Sequence, residues 1–366
     1  MKVICDRGAL VDALNLVGQV VAQRTPKPAL TCVRLSAADG GLMLNATDME
    51  VSIRLSTARV EVAEPGDALI PAGKLNDIVR EAHDPTLTIA TEQQQAEITG
   101  QDSRFRIYGY PVGDFPELPD ADGDPDFTVS AAELHRLVAL TIFATARENS
   151  RYAMSGVLFD REKNRLNVVA TDGHRLALAK GSCKGATDDP VTAIVPTKAL
   201  NLLLRLFDDA EQTVAVKVKD GQIVFASEQA VLTSKLQEGN FPPYKDVIPK
   251  DGDKKATLAT DLLISGVRQA ALLTNEESKG VRMAFAPGGL TLSSRAPEMG
   301  EAEIKVELPE YQGEPVEIGF NPTYLLDALK VVDESQVHFE FKAANKPGVM
   351  RTGPNFLYVI MPVNLQ

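Results

Sequence analysis

A pattern that occurs three times at nearly equal spacing constrains the fold of this chain more than any other feature of its sequence. In each copy a short apolar strand leads through proline or asparagine into an amphipathic helix. The copies are Ile70–Val79, Val195–Leu204 and Phe320–Leu329. A strand pattern with almost the same step lies at Leu42–Thr47, Leu166–Thr171 and Leu290–Arg295. Two independent patterns with steps of 124 to 125 residues predict three copies of one structural unit.

Each copy is predicted to hold two amphipathic helices and several short strands, which is an α+β fold. The six predicted helix regions are 8–24, 72–82, 130–151, 196–207, 260–282 and 321–332. Phe-Pro segments beginning at Phe115 and Phe241 lead into stretches rich in Asp, Pro and Gly, which are typical of domain joints. We therefore expect an N-terminal domain at 1–122, a central domain at 123–250 and a C-terminal domain at 251–366.

The composition is that of a globular protein, with 44% apolar residues, 24% charged residues and no tryptophan. No apolar run approaches the length of a membrane span. Asp6, Arg7 and Asp12 interrupt the first apolar stretch, which argues against a signal peptide. Three cysteines without close pairing fit a reducing compartment. We expect a cytoplasmic protein that makes no membrane contact.

The sequence contains no P-loop, no GxGxxG motif and no histidine pair at metal-binding spacing, so we expect no cofactor and no metal. One segment, Ala170–Leu178, places Asp172 beside His174 at a glycine turn after a strand. This arrangement leaves three interpretations open: a structural turn, a binding surface, or the acid and base of a hydrolase. The hydrolase interpretation lacks a serine, a cysteine or a second carboxylate in a recognisable companion motif.

The three repeats, the Ala170–Leu178 segment, the Phe-Pro joints, Asn275-Glu276 with Gly280–Arg282 and the terminal Met361-Pro362 resemble one family. This family is that of the bacterial DNA polymerase III β subunits, which are the sliding clamps of replication. The resemblance covers the whole chain. It implies three clamp-type domains, each of two helices packed on β-sheets, and a homodimer joined head to tail into a six-domain ring. It also implies a processivity factor that encircles duplex DNA and is not an enzyme.

The charge of the chain is compatible with loosely held DNA. The net charge is −12, yet the six predicted helix regions together carry +3, which leaves −15 for the remainder. Weak, diffuse attraction to phosphate permits sliding, whereas a strong grip would pin the ring. The resemblance and the basic side chains suggest non-sequence-specific DNA contacts, with Arg151 and Tyr152 in a region that touches DNA in the family. These candidates are Arg24, Lys74, Arg147, Arg151, Tyr152, Lys198, Arg205, Arg268, Lys279 and Arg282.

The resemblance further implies a peptide-binding groove between the second and third domains. In the family it receives short motifs of the DNA polymerase III catalytic subunit, the clamp loader, repair polymerases and mismatch-repair proteins. Its residues here would be Met154, Thr171, Gly173, His174, Arg175, Leu176, Pro242, Val247, Asn321, Tyr324, Val359, Met361, Pro362 and Val363. Asp246, Ser278 and Val363-Asn364 depart from the family pattern, so we expect an altered peptide preference. A β-repeat scaffold without nucleic acid is the remaining alternative.

Overall fold

The computed structural model describes residues 1–22, 24–38, 41–57, 59–119, 123–146, 153–185, 188–274 and 280–364. Within these ranges each repeat has the same order of elements: one strand, a helix, five strands, a second helix and three strands. The repeat predicted from sequence spacing is therefore confirmed at the level of topology. No helix in the described ranges is long and apolar enough to cross a membrane.

The elements of the first repeat are β1 (Lys2–Asp6), α1 (Arg7–Val17), β2 (Cys32–Ala38), β3 (Gly41–Thr47), β4 (Val51–Thr57), β5 (Val60–Glu64), β6 (Gly66–Pro71), α2 (Ala72–Glu81), β7 (Thr86–Glu92), β8 (Gln95–Thr99) and β9 (Arg104–Tyr108). Those of the second are β10 (Phe127–Ser130), α3 (Ala131–Ala139), β11 (Gly156–Glu162), β12 (Arg165–Thr171), β13 (Arg175–Ser182), β14 (Lys184–Gly185), β15 (Val191–Pro196), α4 (Thr197–Leu206), β16 (Thr213–Lys219), β17 (Gln222–Ala226) and β18 (Ala230–Lys235).

A short helix, α5 (Tyr244–Val247), precedes the third repeat. That repeat contains β19 (Lys254–Ala259), α6 (Thr260–Ala271), β20 (Val281–Ala286), β21 (Gly289–Ala296), β22 (Gly300–Val306), β23 (Glu310–Gln312), β24 (Val316–Phe320), α7 (Pro322–Leu329), β25 (Gln336–Phe341), β26 (Gly348–Thr352) and β27 (Phe356–Ile360). Single turns of 3-10 helix lie at Pro28–Thr31, Val112–Asp114 and Ile142–Ala144.

Three predicted helix regions are longer than the helices found in the described residues. The α-helix in the region 8–24 ends at Val17, the one in 130–151 ends at Ala139 and the one in 260–282 ends at Ala271. Arg282 therefore lies on strand β20 and not on a helix. The helix starts agree with prediction to within about one residue, and a capping side chain marks the start of α1: Asp6 accepts from the Ala9 amide at 2.8 Å.

The chain divides into two compact units, and each is described by itself. The first unit comprises Met1–Ala132, Lys184–Thr187 and Lys198–Leu236, and the second comprises Glu133–Cys183, Asp188–Thr197 and Gln237–Gln366. Each unit combines strands from two repeats, because each contains a nine-stranded sheet that two repeats share. The domain boundaries at 122 and 250 stay predictions.

The first unit contains a five-stranded sheet, β5-β1-β7-β8-β9, and a nine-stranded sheet, β14-β10-β16-β17-β18-β4-β3-β2-β6. The second unit contains a nine-stranded sheet, β15-β11-β12-β13-β27-β26-β25-β19-β23, and a four-stranded sheet, β22-β21-β20-β24. All of these strand pairs are antiparallel, and two of them join different repeats. They are β4 with β18 and β13 with β27.

Helices cover the sheets through apolar stripes. On α1 the buried residues are Leu10, Ala13, Leu14 and Val17, which fall on one face. On α6, Gly266 allows close approach to the four-stranded sheet: a Cβ there would lie 2.7 Å from Leu292 and 2.8 Å from Val306. Cys5, Cys32 and Cys183 are free and buried, and burial raises the pKa of each thiol, to about 12 for Cys5.

Candidate functional site

The turn between β12 and β13 forms the centre of the predicted groove in the second unit. Thr171 Oγ1 donates to the Arg175 carbonyl at 2.7 Å and accepts from the Gly173 amide at 3.2 Å. Asp172 Oδ1 accepts from the amides of His174 and Arg175, each at 3.0 Å. Gly173 has a φ of 88°, a conformation that favours glycine. The turn is thus fixed by side chains that bond their own backbone.

Arg175 lies at the base of this turn with its side chain 7% exposed. Its guanidinium bonds Asp172 at 3.0 Å, Asp327 at 2.8 Å and the Phe143 carbonyl at 2.8 Å. The same group lies 4.3 Å from the centre of the Tyr324 ring. Although burial opposes the charge, the contacts with Asp327 and Asp172 raise the pKa of Arg175. Arg175 therefore joins the turn to helix α7.

The segment after β27 forms one side of the groove. The Met361 amide donates to the His174 carbonyl at 2.9 Å, and the Val363 amide donates to the Gly319 carbonyl at 2.8 Å. The His174 and Tyr324 rings stack with their centres 6.5 Å apart. These contacts bring the turn, the start of α7 and the segment after β27 together.

Leu176 and Val359 are direct cross-strand partners at the floor of the predicted groove. Both are buried in a cluster with Ala153 and Tyr244, against which Phe241 packs. Val247 and Met361 are exposed, which gives the groove accessible apolar side chains at its edge. The predicted floor is thus part of the core, whereas the side chains at the predicted edge are exposed.

The remaining predicted groove residues lie in four segments of the chain. Met154 follows the buried Ala153 and is half-buried, as is Pro242 next to Phe241. Asn321 caps α7 by accepting from the Thr323 amide at 2.9 Å. Pro362 is half-buried beside Met361, Asp246 is exposed on α5, and Ser278 lies outside the described residues.

Three residues that position the groove were missed in the sequence. The Tyr244 hydroxyl donates to Asp160 at 2.6 Å and so fixes α5, while Phe143 supplies a carbonyl to Arg175. Burial and this hydrogen bond raise the pKa of Tyr244. Asp327 is a lone acid in the apolar helix Pro322–Leu329, one turn after Tyr324. In the sequence, that isolated acid could have indicated a buried cation. No sequence feature of Tyr244 or Phe143 indicated their roles.

The predicted DNA-contacting residues are distributed over exposed surface. Arg24, Lys74, Arg205 and Arg268 are exposed, three of them on helices α2, α4 and α6. Lys198 on α4 is in an ion pair with Asp48. Arg282 on β20 bonds Glu317 at 2.7 Å, which corrects its predicted helical place. Arg147, Arg151, Tyr152 and Lys279 lie outside the described residues.

The geometry does not support a hydrolytic role for Asp172 and His174. Both carboxylate oxygens of Asp172 are engaged by the turn amides and by Arg175. A general base must be in hydrogen-bond reach of the proton it removes, and this carboxylate is used to order backbone instead. In the described ranges no group of three or more His, Cys, Asp or Glu side chains could hold a metal ion.

Three family models match successive parts of the chain. Residues 1–119, 128–243 and 245–364 match the N-terminal, central and C-terminal domains of the DNA polymerase III beta subunit. Beta sliding clamps of Pseudomonas putida and Caulobacter vibrioides are 35% and 36% identical, each with full coverage of both chains. A sliding clamp of Pseudomonas aeruginosa bound to griselimycin has a TM-score of 0.95 at 34% identity, and one of Bacillus subtilis has 0.94 at 26%, both over the full length of each chain.

Proposed function

Because this chain belongs to the DNA polymerase III beta subunit family, the bacterial sliding clamps, we propose that two copies close head to tail around duplex DNA. The chain acts in DNA replication as a processivity factor and is not an enzyme. Its groove would tether partner proteins while the ring moves along the duplex. We also propose that it works in the cytoplasm.

Two unpaired strand edges carry the proposal of a closed ring. Strands β9, β18 and β27 are each the last strand of a repeat, and β4, β13 and β22 occupy matching places before the second helix. β18 pairs with β4, and β27 pairs with β13, whereas β9 and β22 are both edges of their sheets. An open edge is a template for another chain. Pairing β9 of one copy with β22 of another would repeat the internal joins and close the ring.

The side chains of these edges are complementary. β9 carries Arg104 and Arg106, which also contact Glu97 within the chain, and β22 carries Glu301 and Glu303. Large apolar side chains are exposed at both edges: Phe105 and Tyr108 beside the arginines, and Met299 and Leu272 near β22. Tyr108 is 70% exposed and Leu272 is 74% exposed. Exposed apolar groups next to opposite charges are typical of a contact surface between chains.

The groove supports the tethering role. It offers a fixed turn, an apolar floor and the adaptable side chain of Met361, which together suit a short peptide with aliphatic or aromatic residues. We propose the DNA polymerase III catalytic subunit, the clamp loader, repair polymerases and mismatch-repair proteins as its partners. Exposed basic residues such as Arg24, Lys74 and Arg205 would contact DNA weakly, so that enclosure and not attraction retains the duplex.

A topological assay tests the ring. The protein is loaded onto a nicked circular plasmid with a clamp loader, washed at high salt, and one half of the sample is then linearised. We expect the protein to stay on the circle and to leave the cut plasmid, because a threaded ring escapes only over a free end. Equal retention on both forms would indicate ordinary salt-resistant binding, and equal loss from both would exclude a ring. An uncut plasmid incubated for the same time is the control.

A further inference from the structure

The first unit contains a cavity of about 230 Å³ beside the join between β4 and β18. Its walls come from the turn between β3 and β4, from the segment Pro116–Pro119, and from Gln222, Thr233 and Lys235 on the β17–β18 hairpin. None of these residues belongs to the groove described above, which lies in the second unit. The position of the cavity in its repeat corresponds to the position of the groove in the next one.

The turn that lines this cavity has the same construction as the groove turn 124 residues later. Thr47 Oγ1 donates to the Val51 carbonyl at 3.0 Å and accepts from the Met49 amide at 3.0 Å. Asp48 Oδ1 accepts from the amides of Glu50 at 2.9 Å and Val51 at 2.8 Å. These are the bonds that Thr171 and Asp172 make in the groove.

The opposite side of the cavity is also equivalent to the corresponding side of the groove. The Lys235 amide donates to the Glu50 carbonyl at 2.9 Å, as the Met361 amide donates to the His174 carbonyl at the same distance. Ser52 pairs directly with Thr233 across β4 and β18, in the place of the groove pair Leu176 and Val359. The cavity is therefore the internal duplicate of the groove.

The wall formed by Pro116–Pro119 is held in place. Arg54 donates to the carbonyls of Leu118 and Pro119, both at 3.0 Å. Phe115 is buried in a cluster with Cys32 and Leu69, and Leu118 packs against that cluster. Because both the backbone and the apolar side chains of this wall are held in place, the site is preformed. A preformed site lowers the entropic cost of binding.

The chemistry of the duplicate differs from that of the groove. The apolar floor pair is replaced by two buried hydroxyl residues, Ser52 and Thr233. At the edge, Glu50 replaces His174, and Lys235 lies 3.8 Å from the Glu50 carboxylate. Glu117 is exposed and has no ion-pair partner in the described part of the chain. The cavity thus offers hydrogen-bond acceptors and one carboxylate without an ion-pair partner in the described residues, whereas the floor of the groove offers apolar side chains.

We propose that this cavity is a second peptide site, which receives an extended segment of a partner protein through an arginine side chain. A guanidinium has five donors in a planar fork and no acceptor. Glu117, the hydroxyls of Ser52 and Thr233 and the Gln222 amide oxygen supply matching acceptors. This site rests on the repeat equivalence with the proposed groove, but its arginine preference does not depend on what the groove binds. One clamp would then hold two segments of different chemistry.

The test uses the full-length protein and three fluorescein-labelled pentapeptides that differ only in the central residue: arginine, its neutral isostere citrulline, or leucine. Anisotropy titrations are made at physiological ionic strength. We expect the arginine peptide to bind about tenfold more tightly than the citrulline peptide, as a charge-assisted hydrogen bond predicts. Glu117→Gln should remove most of this difference, and Thr233→Val should weaken the arginine peptide. Thermal melting verifies that each variant is folded.

A matched control separates a site from diffuse attraction to an acidic chain. Glu228 is exposed in the turn between β17 and β18, at the end of the hairpin away from Gln222 and Lys235. Glu228→Gln should leave arginine-peptide binding unchanged. Equal binding of the arginine and citrulline peptides, or equal losses from Glu117→Gln and Glu228→Gln, would overturn the proposal. Met361→Glu should affect only the leucine peptide, so a failure of the groove is distinguishable from a failure of this site.

Discussion

Arg175 shows how one residue can organise the proposed groove. Its buried guanidinium links the turn at Asp172 to helix α7 at Asp327, a residue 152 positions later in the chain. The sequence predicted Arg175 and its neighbours as groove residues from a local motif. It did not predict the burial of Arg175, because a contact over such a separation leaves no local pattern. For the same reason the sequence predicted both Leu176 and Met361 as groove residues but not that Leu176 is buried and Met361 exposed.

Replacing Asp327 tests this role of Arg175. Asp327→Asn keeps the shape of the side chain but removes a charge partner of a buried cation, which is costly. We expect the free energy of unfolding to fall by about 1–3 kcal/mol, because Asp327 itself is partly exposed. Urea denaturation measures the change. Glu317→Gln, which breaks the exposed pair with Arg282, is the control and should have little effect. Equal effects of the two changes would contradict the role given to Arg175.

At the level of elements, the sequence predicted where helices begin better than where they end. Proline and asparagine mark the starts of α2, α4 and α7, since a helix start has unsatisfied amides that local residues can cap or avoid. The helices α1, α3 and α6 end before their apolar patterns do, because apolar residues beyond them, such as Val20 and Ala144, are buried without lying in an α-helix. The sequence predicted a turn after β12, but it did not predict the equivalent Thr and Asp hydrogen bonds that order the turns after both β3 and β12.

The Asp48 turn predicts a specific dependence of stability on pH. Burial opposes the charge of Asp48, but Lys198 and the amides of Val51 and Glu50 lower the pKa of its carboxyl below the usual value. A lowered folded-state pKa contributes stability that is complete above the unfolded pKa of about 3.9. That stability is lost as the pH falls through the folded pKa.

We therefore expect Lys198→Met to destabilise the protein near neutral pH, with a deficit relative to the native chain that shrinks below about pH 4. The midpoint of urea denaturation, measured over a pH series, reports the deficit. Lys74→Met removes an exposed lysine from α2 and serves as the control, with no pH-dependent deficit. A constant difference between the native chain and Lys198→Met at all pH values would show that the ion pair is not the cause.

For the whole molecule, the repeat spacing was sufficient to predict three similar units, and the structure adds how their sheets join. The joins of β4 with β18 and of β13 with β27 pair strands that are far apart in sequence, so the sequence pattern did not specify them. Only the strand order shows that β9 and β22, which match the strands joined between the other repeats, are both sheet edges. The proposed closure by a second copy rests on that order.

Charge reversal tests the proposed closure at both edges. Arg104→Glu with Arg106→Glu makes β9 acidic, and Glu301→Arg with Glu303→Arg makes β22 basic. We expect each double variant alone to sediment as a monomer, because like charges would then face each other at both contacts of a head-to-tail dimer. A mixture of the two variants pairs the native basic β9 of one with the native acidic β22 of the other, and the reversed edges are complementary too. The mixture should therefore form a heterodimer in sedimentation velocity experiments. Dimers of either variant alone, or a mixture that stays monomeric while both chains are folded, would show that β9 and β22 do not meet.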